Sequence, residues 1–119
     1  MRRIAACKLF IAGKNEPLGR HIVEIAGEEG RMVNYFPLGE ELPMTEWLGG
    51  VLLASPCCEC HIITHPQSID EVMEALDMTN GDARCLHIWH LSRINSETLE
   101  ILPDCIFQRL DDEEDDDIF

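Results

Sequence analysis

The chain has 119 residues and 13.5 kDa, enough for one domain with a modest core and too short for two. Apolar residues are 45% and charged residues 27%, ordinary globular values, which excludes wholesale disorder and fibrous classes. The formal net charge of −14 excludes nonspecific nucleic-acid binding through phosphates and a polybasic membrane patch.

Residues 3–11 form the first predicted strand. One face would carry Ala5, Cys7, Leu9 and Ile11, the other Ile4, Ala6, Lys8 and Phe10, so burial on both sides is expected. Lys8 interrupts the apolar stretch behind Arg2 and Arg3, so the start reads as a strand rather than a secretory signal. Residues 21–26 and 31–36 flank Gly27-Glu28-Glu29-Gly30, a polar turn bounded by glycines, and predict an antiparallel hairpin. Glu24 within it is expected to face solvent. Residues 37–43 read as a loop leading through Trp47 to Gly49-Gly50, and Val51 to Ala54 as a short apolar strand.

From there strands are expected to alternate with helices. Residues 60–64 are strand-like. Ser68-Ile69-Asp70-Glu71 has capping-box spacing and opens a helix whose stripe is Ile69, Val72, Met73 and Leu76, with Asn80-Gly81 as the stop. Residues 84–91 are strand-like again, Asn95-Ser96-Glu97 opens a short helix ending before Pro103, and residues 105–110 form a last strand. The expected fold is α+β: a mixed β-sheet with an N-terminal antiparallel hairpin and a C-terminal β-α-β-α-β segment, forming one globular domain over residues 1–110. Residues 111–119 hold seven acids and no base, half of the net charge, and are expected to be a disordered tail.

No run of eighteen apolar residues occurs, so no transmembrane helix is expected. Six cysteines without a secretory signal point to reduced thiols in the cytoplasm.

The densest chemistry is Pro56-Cys57-Cys58-Glu59-Cys60-His61, followed by His65 and, further on, Cys85, His87 and His90. Cys57 and Cys60 have Cys-x-x-Cys spacing, and His61 and His65 have His-x3-His spacing, both found in zinc sites. Against a metal, all four ligands crowd into nine residues, and an extended strand would turn Cys60 and His61 to opposite faces. The odd offset separates His87 from His90 in the same way, with both expected at the rim of the sheet. A redox Cys57/Cys60 pair would need a helix start after it, where β-prone residues stand. Pairing Cys58 or Cys60 with His87 as nucleophile and base lacks a local signature. Phosphate-cradling glycine loops are absent. Trp47 and Trp89 read as core aromatics or as the lining of an interface.

The order of Arg3-Ile4-Ala5-Ala6-Cys7-Lys8-Leu9-Phe10, His21-Ile22-Val23-Glu24-Ile25, Glu28-Glu29-Gly30-Arg31-Met32-Val33 and Trp47-Leu48-Gly49-Gly50-Val51-Leu52-Leu53 resembles the small N-terminal β domain of amidohydrolase-superfamily enzymes. The resemblance covers residues 3–61. That family places a His-x-His metal motif next, where this chain has Glu59-Cys60-His61, so only His61 matches. The catalytic barrel needs about 250 residues, so the resemblance implies the β scaffold without hydrolase activity.

The expected function is therefore that of a small acidic non-enzymatic protein acting through a protein partner or self-association, with no catalytic, cofactor-binding or metal residue assigned. The alternative is a zinc-binding, hydrolytic module built on Cys57, Cys60, His61 and His65.

Overall fold

A computed structural model describes residues 2–14, 16–27, 30–37, 39, 45–57, 68–78, 85–95, 98 and 100–110. The elements are β1 (Arg2–Ala6), β2 (Lys8–Ile11), β3 (His21–Ala26), β4 (Arg31–Pro37), β5 (Thr45–Trp47), β6 (Val51–Ser55), α1 (Ile69–Ala75), β7 (His87–Asn95) and β8 (Glu100–Arg109). Among the described residues strand makes up 62% and helix 9%. The expected α+β class with a C-terminal β-α-β-α-β segment is thereby overturned: this is a sheet-dominated domain with one helix among the described residues.

The helix expected after Asn95 is replaced by a chain reversal. Asn95 does accept the Thr98 N–H through its side chain at 3.2 Å, as a helix cap would. The chain then turns back into β8, which pairs antiparallel with β7 from Trp89↔Arg109 to Asn95↔Glu100. The capping signal is local. It could not register that a bare edge of β7 offers a whole ladder of hydrogen bonds to residues 100–109. The strand expected at residues 60–64 and the tail at 111–119 lie outside the described residues.

The hairpin is present as expected, with β3 and β4 paired from His21↔Pro37 to Ala26↔Arg31 and a register shift at Glu24/Ile25. The hydrogen-bonded path runs β2-β6-β7-β4-β3-β1-β5, with β8 added on β7. β2, at one end of this path, follows directly in the chain on β1, the last strand but one at the other end, with only Cys7 between them. The sheet therefore curls round on itself, so that β1 and β3 face the same interior as β2, β6 and β7. Its narrowest seam is β4 against β7, with one register pair, Arg31↔His87, supported by Met32 N to Leu86 O at 2.8 Å and Ile88 N to Gly30 O at 3.0 Å. Two pairings in the mixed sheet are parallel, β1 with β5 and β2 with β6.

One cluster fills the inside of this curl: Ile4, Ala6, Leu9, Ile11, Val23, Ile25, Leu52, Ala54 and Ile88, with Leu110 closing it. The other face of β2, β6 and β7 supplies Phe10, Val51, Leu53, Trp89 and Leu91 to a second cluster, which α1 covers with Val72 and Leu76. Burial on both faces explains why these strands read as continuous apolar runs rather than as alternation. It also corrects the face assignment of the first strand. Ile4 and Ala6 share a cluster with Leu9 and Ile11, so the alternation slips by one residue at Cys7. Without that slip, either pair would turn away from the interior.

The helix begins as its spacing predicts. Ser68 is the N-cap, its hydroxyl accepting Glu71 N–H at 3.2 Å, and the stripe packs with Val72 and Leu76 fully buried and Ile69 and Met73 partly so. It stops earlier than Asn80-Gly81. Asp77 adopts φ 54°, with Met78 N donating to Met73 O at 3.0 Å and Asp77 N to Glu74 O at 3.2 Å. These are the two bonds of a Schellman stop, here with an aspartate where glycine is usual. Among the described residues no helix is long and apolar enough to cross a membrane.

Candidate functional site

The Schellman turn leads the chain onto the end of β2, where Gly13 N donates to Met78 O at 2.8 Å. Gly13 itself has φ 86°, and Lys14 N closes that turn on Ile11 O at 3.0 Å. Between the two turns lies an open cleft of about 470 Å³. Phe10, Ile11 and Lys14 line it from the strand side, and Asp70, Met73, Glu74, Asp77 and Met78 from the helix side. Asp70, Met73, Glu74 and Asp77 follow i, i+3, i+4, i+7 spacing, a second stripe beside the buried one, with Met73 common to both. The cleft thus has an apolar floor of Phe10, Ile11, Met73 and Met78 beneath three carboxylates and one ammonium. Methionines accommodate varied apolar partners because their side chains are unbranched and polarizable. In sequence Met73 belongs to the apolar stripe of the predicted helix and Phe10 and Ile11 to a predicted strand, and none of these residues is marked there as a site. The available signal was the acidic i, i+4, i+7 series next to the apolar stripe of a well-capped helix.

The sequence-derived candidates fall elsewhere. Of Cys57, Cys60, His61 and His65, only Cys57 is among the described residues. It is half-buried just past β6, its N–H donating to Ser55 Oγ at 3.0 Å and its carbonyl accepting Trp89 Nε1–H at 2.9 Å. Cys58, Glu59, Cys60, His61 and His65 lie outside the described residues. Among the described residues no group of three or more His, Cys, Asp or Glu side chains could hold a metal ion.

His87 and His90 are not at the rim. They are 6% and 7% exposed, and each ring has a partner: His90 Nε2 lies 2.6 Å from Gly49 O and His87 Nε2 lies 3.7 Å from Cys85 Sγ. A buried imidazole without a hydrogen bond would be costly, so the strand that buries these rings also supplies partners. Their separation onto opposite faces holds, since His87 pairs with Ser55 and His90 with Leu52 along the same β6 ladder.

Glu24 also departs from expectation. Its side chain is only 12% exposed and pairs with Arg3 Nε at 2.9 Å, while Asn34 Nδ2 donates to its other oxygen at 3.4 Å. Adjacent pairing of Arg3 with Glu24 in the β1–β3 register brings the charges together. The two tryptophans divide. Trp89 is buried and stacks on Phe107 at 5.0 Å, whereas Trp47 stands exposed with the Arg20 guanidinium 5.9 Å from its ring centroid.

No family model matches the chain, and no curated protein or solved structure matches it either.

Proposed function

We propose that this chain is a cytoplasmic protein-interaction module whose cleft beside α1 takes a basic, amphipathic segment of a partner protein. The observation that carries the reading is the lining of that cleft: an apolar floor of Phe10, Ile11, Met73 and Met78 under Asp70, Glu74 and Asp77. An apolar side chain of the partner would enter between the methionines and leave water, the main source of affinity. Lysine or arginine on the same segment would meet the carboxylates at the rim. Such exposed pairs add little affinity but accelerate encounter and reject acidic competitors.

The test uses protein labelled with 13C at its methionine methyls and a synthetic twelve-residue peptide of alternating leucine and lysine. Addition of the peptide is expected to shift the Met73 and Met78 resonances. The Asp70→Lys/Glu74→Lys variant should bind about tenfold more weakly, as expected when rim attraction becomes repulsion. Binding without shifts at Met73 and Met78, or unchanged by the charge reversal, would place the peptide elsewhere and end the proposal.

A further inference from the structure

We propose that Cys85 is a reactive thiol, assisted by His87, that undergoes thiol–disulfide exchange with a low-molecular-weight disulfide. Cys85 is the exposed one of the four described cysteines; Cys7 and Cys57 are half-buried and Cys105 is buried. Its Sγ lies 3.7 Å from His87 Nε2, within reach for S–H to donate to the ring. His87 is held in place from both sides, paired in register with Ser55 of β6 and with Arg31 of β4. Residues directly opposite in a ladder share a face, so the exposed Arg31 stands on the side of β7 from which His87 projects. A nucleophile needs an accessible attacking atom, a base in contact with it and a fixed base. This end of β7 provides all three.

In the exchange, His87 Nε2 takes the proton from Cys85 Sγ as the sulfur attacks one sulfur of the co-reactant. The new S–S bond to Cys85 forms as the co-reactant's own S–S bond breaks, and the departing thiolate recovers the proton from the imidazolium. Cys85 sulfur is oxidised and the departing sulfur is reduced, so the step balances with the disulfide as its sole oxidant. The proposal is independent of the cleft, which lies at the β2–α1 junction.

The test is a timed reaction of the full chain with neutral 2-hydroxyethyl disulfide, followed by peptide mapping of each mixed disulfide by mass spectrometry. Cys85 is expected to react at least about tenfold faster than Cys7, and His87→Gln to slow Cys85 by about tenfold or more, in keeping with the usual contribution of a positioned base, while Cys7 keeps its rate. A Cys85 rate equal to that of Cys7, or one unaffected by His87→Gln, would overturn it. A second measurement needs no His87 variant: converting Cys85 to its methyl disulfide removes the S–H donor and should shift the His87 ring 15N resonances. Unmoved His87 resonances would equally overturn it.

Discussion

The hydroxyl of Ser55, at the end of β6, donates to the carbonyl of Leu76, the C-cap residue of α1, and is fully buried. The same oxygen accepts the Cys57 N–H at 3.0 Å. One side chain thus satisfies a helix C-terminal carbonyl that has no partner within the helix, and joins the covering helix to the sheet beneath it. Ser55→Ala would leave both backbone groups without this partner. The expected loss is about 2 kcal/mol, from the cost of stranding buried polar groups, read as a fall in Tm on the order of 10 °C. A change within 2 °C, taken as roughly the scatter between harmless variants, would mean that the hydroxyl holds nothing.

Gly50 has φ 80°, and a Cβ built on it would stand 2.1 Å from the Leu91 carbonyl oxygen. That atom belongs to the central strand and cannot swing aside. Gly50→Ala should therefore cost about 3 kcal/mol or more, combining left-handed strain with the backbone clash. Its neighbour supplies the control, since nothing lies within 4 Å of a Cβ on Gly49. Gly49→Ala is expected within about 0.5 kcal/mol of the parent. Urea denaturation of both variants measures the contrast, and equal effects would refute the packing account.

Asp77 occupies the left-handed position of the helix stop at φ 54°. Glycine takes this conformation without the Cβ penalty. Asp77→Gly is expected to raise stability by up to about 1 kcal/mol, seen as a higher urea midpoint with unchanged slope. Destabilisation would show that the contacts of the aspartate outweigh its backbone strain.

Trp47 is 52% exposed and Trp89 6%. Fluorescence should resolve two populations, one quenched readily by acrylamide and one protected. Trp47→Phe is expected to remove the quenchable part with a stability change under about 0.5 kcal/mol. Trp89→Phe should remove the protected part and cost about 1 to 2 kcal/mol, through the lost Nε1–H bond to Cys57 O and reduced packing on Phe107. A single quenchable population in the parent would contradict the burial of Trp89.

What the amino-acid sequence determined by itself is whatever depends on neighbours a few residues apart. The Ser68 cap and the Ile69-Val72-Met73-Leu76 stripe, the hairpin around Gly27 and Gly30, and the alternating faces of residues 87–91 were all legible, because capping, turn conformation and side-chain period are local properties. What only the tertiary structure decided depends on partners distant in sequence. Residues 100–109 became a strand because β7 had an edge to pair with, although Asn95 carried a capping signal. The first strand slipped at Cys7 because the interior required Ile4 and Ala6 on the side of Leu9 and Ile11. His87 and His90 were drawn into the core because β7 is covered on both faces and Gly49 and Cys85 meet their rings. The same holds for the sites. Cysteine and histidine spacing along the chain drew attention to Cys57, Cys60, His61 and His65, whereas among the described residues it is Cys85 and His87 that are in contact. The acidic cleft exists only because the helix stop at Asp77 docks on the turn at Gly13. Hydrogen-bond ladders and docking turns join residues tens of positions apart, and short-range patterns carry no information about which of them will meet.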